Sequence, residues 1–306
     1  MKYAIVALAT IFAGLLGLAL ASCGTGSGAG SAGPVPTSGG GPTLSSSDTT
    51  PTVLTDGTGT ETAGQKPIRY EVWFHRGEQL FMVSRTSAAT PRVGAAVLGH
   101  LLAGPTEEER AEGVQTQIPD GTELLGLSID KGIARVDLTS EFESGGGSAS
   151  MSMRLAQVVY TLTQFPTVKG VRFALDGETI DVLGGEGLVI DHPLTRKDYA
   201  ELLPAIVVES PAIGGAVANP VTVSGTANVF EANLTVLVLD GSGNEIARTF
   251  TTATCGTGCR GTFSVTVPYK VAKGKEHGTI VVQDDDAAGT GQPPHQVEIP
   301  VLLESA

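Results

Sequence analysis

Basic clusters are missing from this chain. Lys and Arg total 19 against 32 Asp and Glu, for a formal charge of −13, and nowhere do the cations gather into a patch. Nucleic acid binding rests on Lys and Arg neutralising phosphates, so nucleic acid is set aside as a partner, as is a polybasic contact with a membrane surface. Acidity of this kind keeps a chain soluble and names no partner. Catalytic and metal signatures are missing too. The five histidines, His75, His100, His192, His277 and His295, form no H-E-x-x-H or other metal-ligand spacing. No G-x-S-x-G nucleophile elbow occurs. The sequence therefore supplies no candidate catalytic, metal-binding or cofactor-binding residue, and a non-enzymatic role is expected. Acidic residues are plentiful enough that a glycosidase-like carboxylate pair stays open. Cysteine is scarce, with only Cys23, Cys255 and Cys259 in 306 residues.

Cys23 closes the one long apolar run. Lys2 is the only charge before it, and Ala4 to Leu20 is apolar but slightly short of the about 20 residues that a membrane span needs. A basic start, a short apolar stretch and small residues make a secretory signal layout. Leu20-Ala21-Ser22-Cys23 resembles a bacterial lipobox. The resemblance implies a signal peptide over 1–22, diacylation of the Cys23 thiol with chains such as palmitate, and an extracytoplasmic protein anchored to the membrane through that lipid. Each buried methylene adds about 0.8 kcal/mol, so two long chains hold firmly. Residues 23–66 are Gly, Ser, Thr, Pro and Ala with almost no large apolar side chains. Such a segment cannot bury enough surface to offset its ordering entropy and is expected to be a disordered tether. Its mean span is roughly 35 Å, and its stretched reach about 140 Å.

Order is predicted from residue 67. Ile68–Phe74 and Gln79–Thr86 read as a hairpin across His75-Arg76-Gly77-Glu78. Thr90-Pro91 opens a helix whose apolar face is Val93, Val97, Leu98 and Leu101, with Gly94 and Gly99 pointing to close packing. Gly104-Pro105 stops it, and Thr106-Glu107-Glu108-Glu109 begins a short exposed acidic turn. Glu123–Ile129 and Ile133–Leu138 form a second hairpin around Asp130-Lys131-Gly132. Met151, Leu155, Val158, Leu162 and Phe165 recur at helical spacing. Leu155, Val158 and Leu162 are expected to face a sheet around Val136 and Val171, which leaves Gln157 and Thr161 on the solvent side. Val168–Leu175 is a further strand ending at Asp176-Gly177, and Thr195 caps a last short helix. Hairpins mixed with two main helices make an α+β domain. Tyr70, Trp73 and Phe74 offer material for a sugar platform, but at least two of them are expected in the core.

Several blocks of this stretch resemble the GerMN domain of bacterial sporulation and germination proteins. They are Leu101-Leu102-Ala103-Gly104-Pro105-Thr106, Ile118-Pro119-Asp120-Gly121-Thr122, Ala134-Arg135-Val136-Asp137-Leu138 and the run from Arg154 to Leu162. Phe165-Pro166, Val168, Val171 and Thr195-Arg196 continue the pattern to about residue 203. The resemblance implies a small α+β fold akin to ring-building motifs in envelope complexes. It brings neither a catalytic residue nor a ligand.

From residue 204 to 306 the pattern becomes all-β. Pro220–Ala227, Asn233–Leu239, Glu245–Thr252, Gly261–Pro268, Gly278–Gln283 and His295–Leu302 are short strand-like runs separated by turns, as in a sandwich. The run from Val223 to Ala232 resembles the immunoglobulin-like domain that often follows GerMN in bacterial envelope proteins. Cys255 and Cys259 are an even pair in an exported setting and are expected to close a short disulfide loop. Gly256-Thr257-Gly258-Cys259-Arg260-Gly261 matches G-x-G-x-x-G in letters, but a strand rather than a helix follows it, which removes the phosphate-binding reading. Asp284-Asp285-Asp286 lacks the spacing of a calcium loop and is expected to be solvated. The function expected is that of a lipid-anchored, non-enzymatic scaffold or interaction module with envelope proteins as partners. A cell-wall carbohydrate-binding protein or weak wall hydrolase, with peptidoglycan as its partner, is the alternative. Residues 67–203 and 204–306 are expected to fold separately. Partner contact is expected either through Gln157 on the second main helix or through Glu231 in the Val229-Phe230-Glu231 loop.

Overall fold

The computed structural model of the chain describes residues 67–185, 187–272, 274–285, 291 and 293–305. The signal segment, Cys23 and the tether lie outside them. The first two strands, β1 (Ile68–Arg76) and β2 (Gln79–Ser87), pair from Ile68↔Ser87 to Arg76↔Gln79. The loop is only Gly77-Glu78, so β1 runs two residues past the predicted end. Gly77 has a φ of +61°, which glycine adopts without a steric penalty.

Helix α1 (Val93–Leu102) starts later than Thr90-Pro91 suggests. Arg92 holds the N-cap position, and Thr90 Oγ1 accepts the Arg92 N–H at 3.2 Å instead of capping the helix. Val97, Leu98 and Leu101 are buried and Val93 is partly buried. Gly94 does meet a close neighbour, since a Cβ there would stand 2.9 Å from Leu127 Cδ2. Gly99 has open space above it, so close packing does not explain it. Helix α2 (Glu107–Ala111) opens with a capping box between Thr106 and Glu109. The exposed acidic turn holds for Glu107 and Glu108 but not for Glu109. That residue is buried, and its carboxylate takes both Arg85 guanidinium nitrogens from β2, one at 2.6 Å.

A short β3 (Val114–Gln115) returns to β1 at His75 and Arg76, giving the sheet order β2-β1-β3. Strands β4 (Leu124–Asp130) and β5 (Ile133–Leu138) turn through Lys131 and Gly132. Both turn residues have positive φ, as a two-residue hairpin of the primed type requires. Helix α3 (Ser148–Leu162) carries the chain across to β6 (Gly170–Leu175), which lies parallel to β5 with Val136 opposite Phe173. β7 (Glu178–Thr179) completes the order β4-β5-β6-β7, and β8 (Val182–Leu183) pairs with β9 (Leu188–Val189) in a separate two-stranded sheet. Thr195 caps a 3-10 segment, Arg196–Leu202, in a box with Asp198.

One expectation for α3 is overturned. Leu155, Val158 and Leu162 are buried as predicted, but Gln157 and Thr161 are buried too, and every residue from Met153 to Leu162 is inside. The reason lies at the free edge of β1. Gln164 accepts the Glu71 N–H at 2.8 Å and donates to the Glu71 carbonyl at 2.7 Å. Thr161 Oγ1 accepts the Trp73 N–H at 3.0 Å, and Gln157 donates to the Trp73 carbonyl at 3.2 Å. Positions 157, 161 and 164 share one helical stripe. These side chains continue along β1 the bonding that β3 begins at His75, so buried backbone groups keep partners.

The second region is a two-sheet sandwich. Its strands are β10 (Ile206–Ser210), β11 (Ala216–Val217), β12 (Val221–Ala227), β13 (Asn233–Asp240), β14 (Glu245–Thr252), β15 (Gly261–Val267), β16 (Lys275–Gln283) and β17 (Gln296–Glu304). One sheet has the order β10-β12-β15 and the other β11-β17-β16-β13-β14. Val223, Val236, Val238, Ile280 and Val282 are fully buried within it. Gly225 in β12 permits the contact with β10, because a Cβ would fall 2.0 Å from the Val207 carbonyl oxygen. Strands β10 and β11 go beyond the predicted set; β10 is a five-residue run just past Pro204, and β11 has two residues. At the junction of the two regions, Arg69 donates to Ser84 Oγ at 2.8 and 3.0 Å and to the Glu209 carbonyl at 2.5 Å, joining β1, β2 and β10.

Candidate partner-binding site

At one end of the sandwich two loops lie side by side. Asn228–Ala232 joins β12 to β13, and Ala253–Arg260 joins β14 to β15. The Thr257 N–H donates to the Val229 carbonyl at 2.9 Å, and the Gly258 N–H to Asn228 Oδ1 at 3.0 Å. The Glu231 N–H donates to Thr257 Oγ1 at 3.2 Å, and the Ala253 N–H to the Ala232 carbonyl at 2.8 Å. Val229 and Ala232 are buried beneath, while Phe230 stands 46% exposed on top. A disulfide joins Cys255 to Cys259 and closes the second loop. Glu231, Ala232 and Thr257 have φ values of +54°, +59° and +47°. Three non-glycine residues in the left-handed region cost of order 1–3 kcal/mol each, and such strain gathers where a surface must keep one shape. Arg260 secures the base, donating to the Pro204 carbonyl at 2.6 Å.

A polar cleft of about 260 Å³ lies between β1, β2, β10 and β12. Glu71 and Glu209 both line it. Burial, and then the charge of Glu71, raise the Glu209 carboxyl above its ordinary value. Glu71 is engaged already, accepting Trp73 Nε1–H at 3.0 Å and lying 3.7 Å from Arg196. A carboxyl with a raised pKa beside a second carboxylate is what acid–base chemistry on a glycoside uses.

Two family models match the chain. Residues 61–181 match Germane, described as "Sporulation and spore germination", and residues 205–290 match Gmad2, described as the "Immunoglobulin-like domain of bacterial spore germination". The chain carries a germination-type α+β domain followed by an immunoglobulin-like one. No curated protein matches it. Among solved structures, the first GerMN domain of the sporulation protein GerM from Bacillus subtilis is 23% identical, with a TM-score of 0.36, covering 42% of this chain and 98% of that one. The tandem GerMN domains of the same protein are 15% identical, with a TM-score of 0.36, over 66% of this chain and 62% of that one. A candidate lipoprotein from Clostridium perfringens is 22% identical, with a TM-score of 0.33, over 45% of this chain and 93% of that one.

In the germination-type domain, Tyr70, Trp73 and Phe74 are all buried, and Trp73 packs on Tyr160 with ring centroids 5.0 Å apart, so they form no sugar platform. In the immunoglobulin-like domain, β15 follows the G-x-G-x-x-G run directly. Its glycines answer to packing: a Cβ on Gly256 would fall 2.5 Å from Ala232 N, and one on Gly261 2.2 Å from Cys255 N. The solvated reading of the Asp run fails at Asp284, which is buried and accepts the His295 N–H at 2.7 Å. Asp285 accepts from Thr235 Oγ1 at 3.2 Å, and Asp286 lies outside the described residues. Cys23 does as well. Sequence reasoning singled out the Val229-Phe230-Glu231 loop but missed Glu209 and the left-handed backbone of Glu231 and Ala232. Partial burial of a single Glu leaves no periodicity, and Asn228 and Asn233 flank the turn without occupying its two left-handed positions, which Glu231 and Ala232 hold.

Proposed function

We propose that this is a lipid-anchored, non-enzymatic envelope protein that holds protein partners in a germination- or sporulation-related assembly, with the loop pair around Phe230 as a contact surface. The observation that carries the reading is the succession of two germination-type domains on one chain. The tip supports it, because a disulfide and interloop hydrogen bonds hold an exposed Phe on a strained, pre-shaped turn. Fixing a contact before binding lowers the ordering cost of association. The anchor is read from Leu20-Ala21-Ser22-Cys23, and no described helix is long and apolar enough to cross a membrane. Crosslinking in intact cells followed by pull-down of the full chain tests the reading. A discrete protein adduct weakened by Phe230→Ala supports it, and an adduct pattern indifferent to that change contradicts it.

The Glu71–Glu209 cleft favours the second reading, a wall-carbohydrate binder or weak hydrolase. Purified peptidoglycan separates the two. Saturable retention of the full chain that Glu209→Gln abolishes supports the second reading, and no retention removes it.

A further inference from the structure

We propose that the groove between β4 and the start of α1 takes an extended segment of a partner protein, added to β4 as a further strand, with apolar side chains at alternate positions and a carboxylate beside Arg92. This rests on the protein-partner reading above and assigns a second contact, on the germination-type domain.

β4 is the edge of its sheet, with β5 as its strand neighbour. The backbone N–H and C=O groups on its other side therefore face outward, ready to pair with a strand. Natural edges of this kind are blunted with charge, proline or a covering element. β4 instead displays Leu125 at 52% and Ile129 at 47% exposure. Leu127 and Ile129 lie opposite Val136 and Ala134, both fully buried, so this strand face is the core face continued outward. α1 covers Leu127 through Gly94 and leaves Ile129 open. Leu125 alternates onto the same strand face as Leu127 and Ile129, and the register shift between Leu124 and Gly126 brings Leu124 into the groove as well. The groove measures about 750 Å³, and Pro91 and Val93 extend its apolar lining.

Charge selects the occupant. Arg92 is the one charged residue on the lining, and among the described residues its guanidinium makes no ion pair. A partner carboxylate at that end satisfies it. A second copy of this chain would bring a further formal charge of −13, which opposes self-association. Edge hydrogen bonds favour an extended segment over a helix, with side-chain pockets on alternate residues supplying selectivity.

A phage-displayed library of random octapeptides, selected on the full chain in detergent, tests this. Selected sequences should alternate apolar and polar residues and carry Asp or Glu near one end. The synthesised winner should bind saturably and slow hydrogen exchange at β4 amides. Leu125→Glu and Ile129→Glu should each weaken it at least about tenfold, because an apolar contact is replaced by a charge. Arg92→Ala should weaken it about two- to fivefold, as a rim ion pair does. All three side chains are exposed or half-exposed, so melting should stay unchanged. No enrichment, or binding indifferent to these variants, overturns the assignment. Self-association of the wild-type chain that Ile129→Glu abolishes also overturns it, because a second copy would then fill the groove. Failure here with the Phe230-dependent crosslink intact removes the groove alone, whereas loss of both removes the partner reading.

Discussion

Gln157 shows how a single polar side chain can be structural. Its amide donates to the Trp73 carbonyl and to Thr116 Oγ1 at 3.1 Å, and accepts the Gln117 N–H at 2.9 Å. Gln157→Ala leaves buried backbone groups without partners, and each such group costs about 1–3 kcal/mol. Leu155→Ala should cost about 2–5 kcal/mol by leaving a cavity. Urea unfolding of the two variants checks this, and a loss under about 0.5 kcal/mol for Gln157→Ala, the usual size for a surface change, would refute the edge-covering role. Periodicity alone read Gln157 as exposed, because a 3.6-residue pattern separates apolar from polar faces. It carries no information about an unpaired strand edge that polar side chains will meet. The leucines and valines of α3 were legible for the opposite reason, since their contacts are apolar and their spacing is regular.

Among elements, α2 is tied to β2 by Arg85 and Glu109, whose side chains are 16% and 8% exposed. Burial pushes the Glu109 carboxyl up, but hydrogen bonds from Arg85 and Thr106 outweigh it and hold the group below its ordinary value of 4.5. The folded carboxylate thus binds protons less readily than the unfolded one. Its stabilisation is complete above about pH 4.5 and is lost as pH falls through the depressed folded value. Arg85→Met should cost about 3–5 kcal/mol at neutral pH by leaving a buried charge unpaired. A melt series from pH 7 to pH 3 should show wild type losing more stability below pH 4.5 than the variant does. Equal acid sensitivity would show that the pair is not coupled. At the sandwich tip, the Cys255–Cys259 loop is short, so replacing both cysteines with serine should cost only about 2 kcal/mol. Most elements were legible because glycine turns and alternating β-branched runs mark them locally. The exceptions are short or set by tertiary contact: the two-residue strands β3, β7, β8, β9 and β11, the five-residue β10, the late start of α1, and the left-handed Glu231-Ala232 turn.

For the whole molecule, the two domains have separate sheets, but their buried apolar side chains run on as one cluster across β2 and β10, beside polar contacts from Arg69 to Glu209 and from Arg76 to the Glu298 carbonyl. Fragments cut at Leu203-Pro204 should each melt cooperatively, and failure of both would mean that neither domain's share of that cluster is enough to fold it alone. Intact-mass analysis should find a diacyl adduct on Cys23, and a mature chain starting elsewhere without lipid would remove the anchor. The domain order was legible from sequence blocks, and the Val229-Phe230-Glu231 loop stood as one of two contact readings, but its exposure and backbone strain were not legible, because they depend on how distant loops pack. The most direct test of the partner-holding role is a photocrosslinking residue placed at Phe230 of the full chain in intact cells, with purified peptidoglycan retention measured in parallel. A single discrete protein adduct, competed by overexpressed wild-type chain, with no saturable peptidoglycan retention, is the result expected here. Saturable peptidoglycan retention with no protein adduct would contradict it.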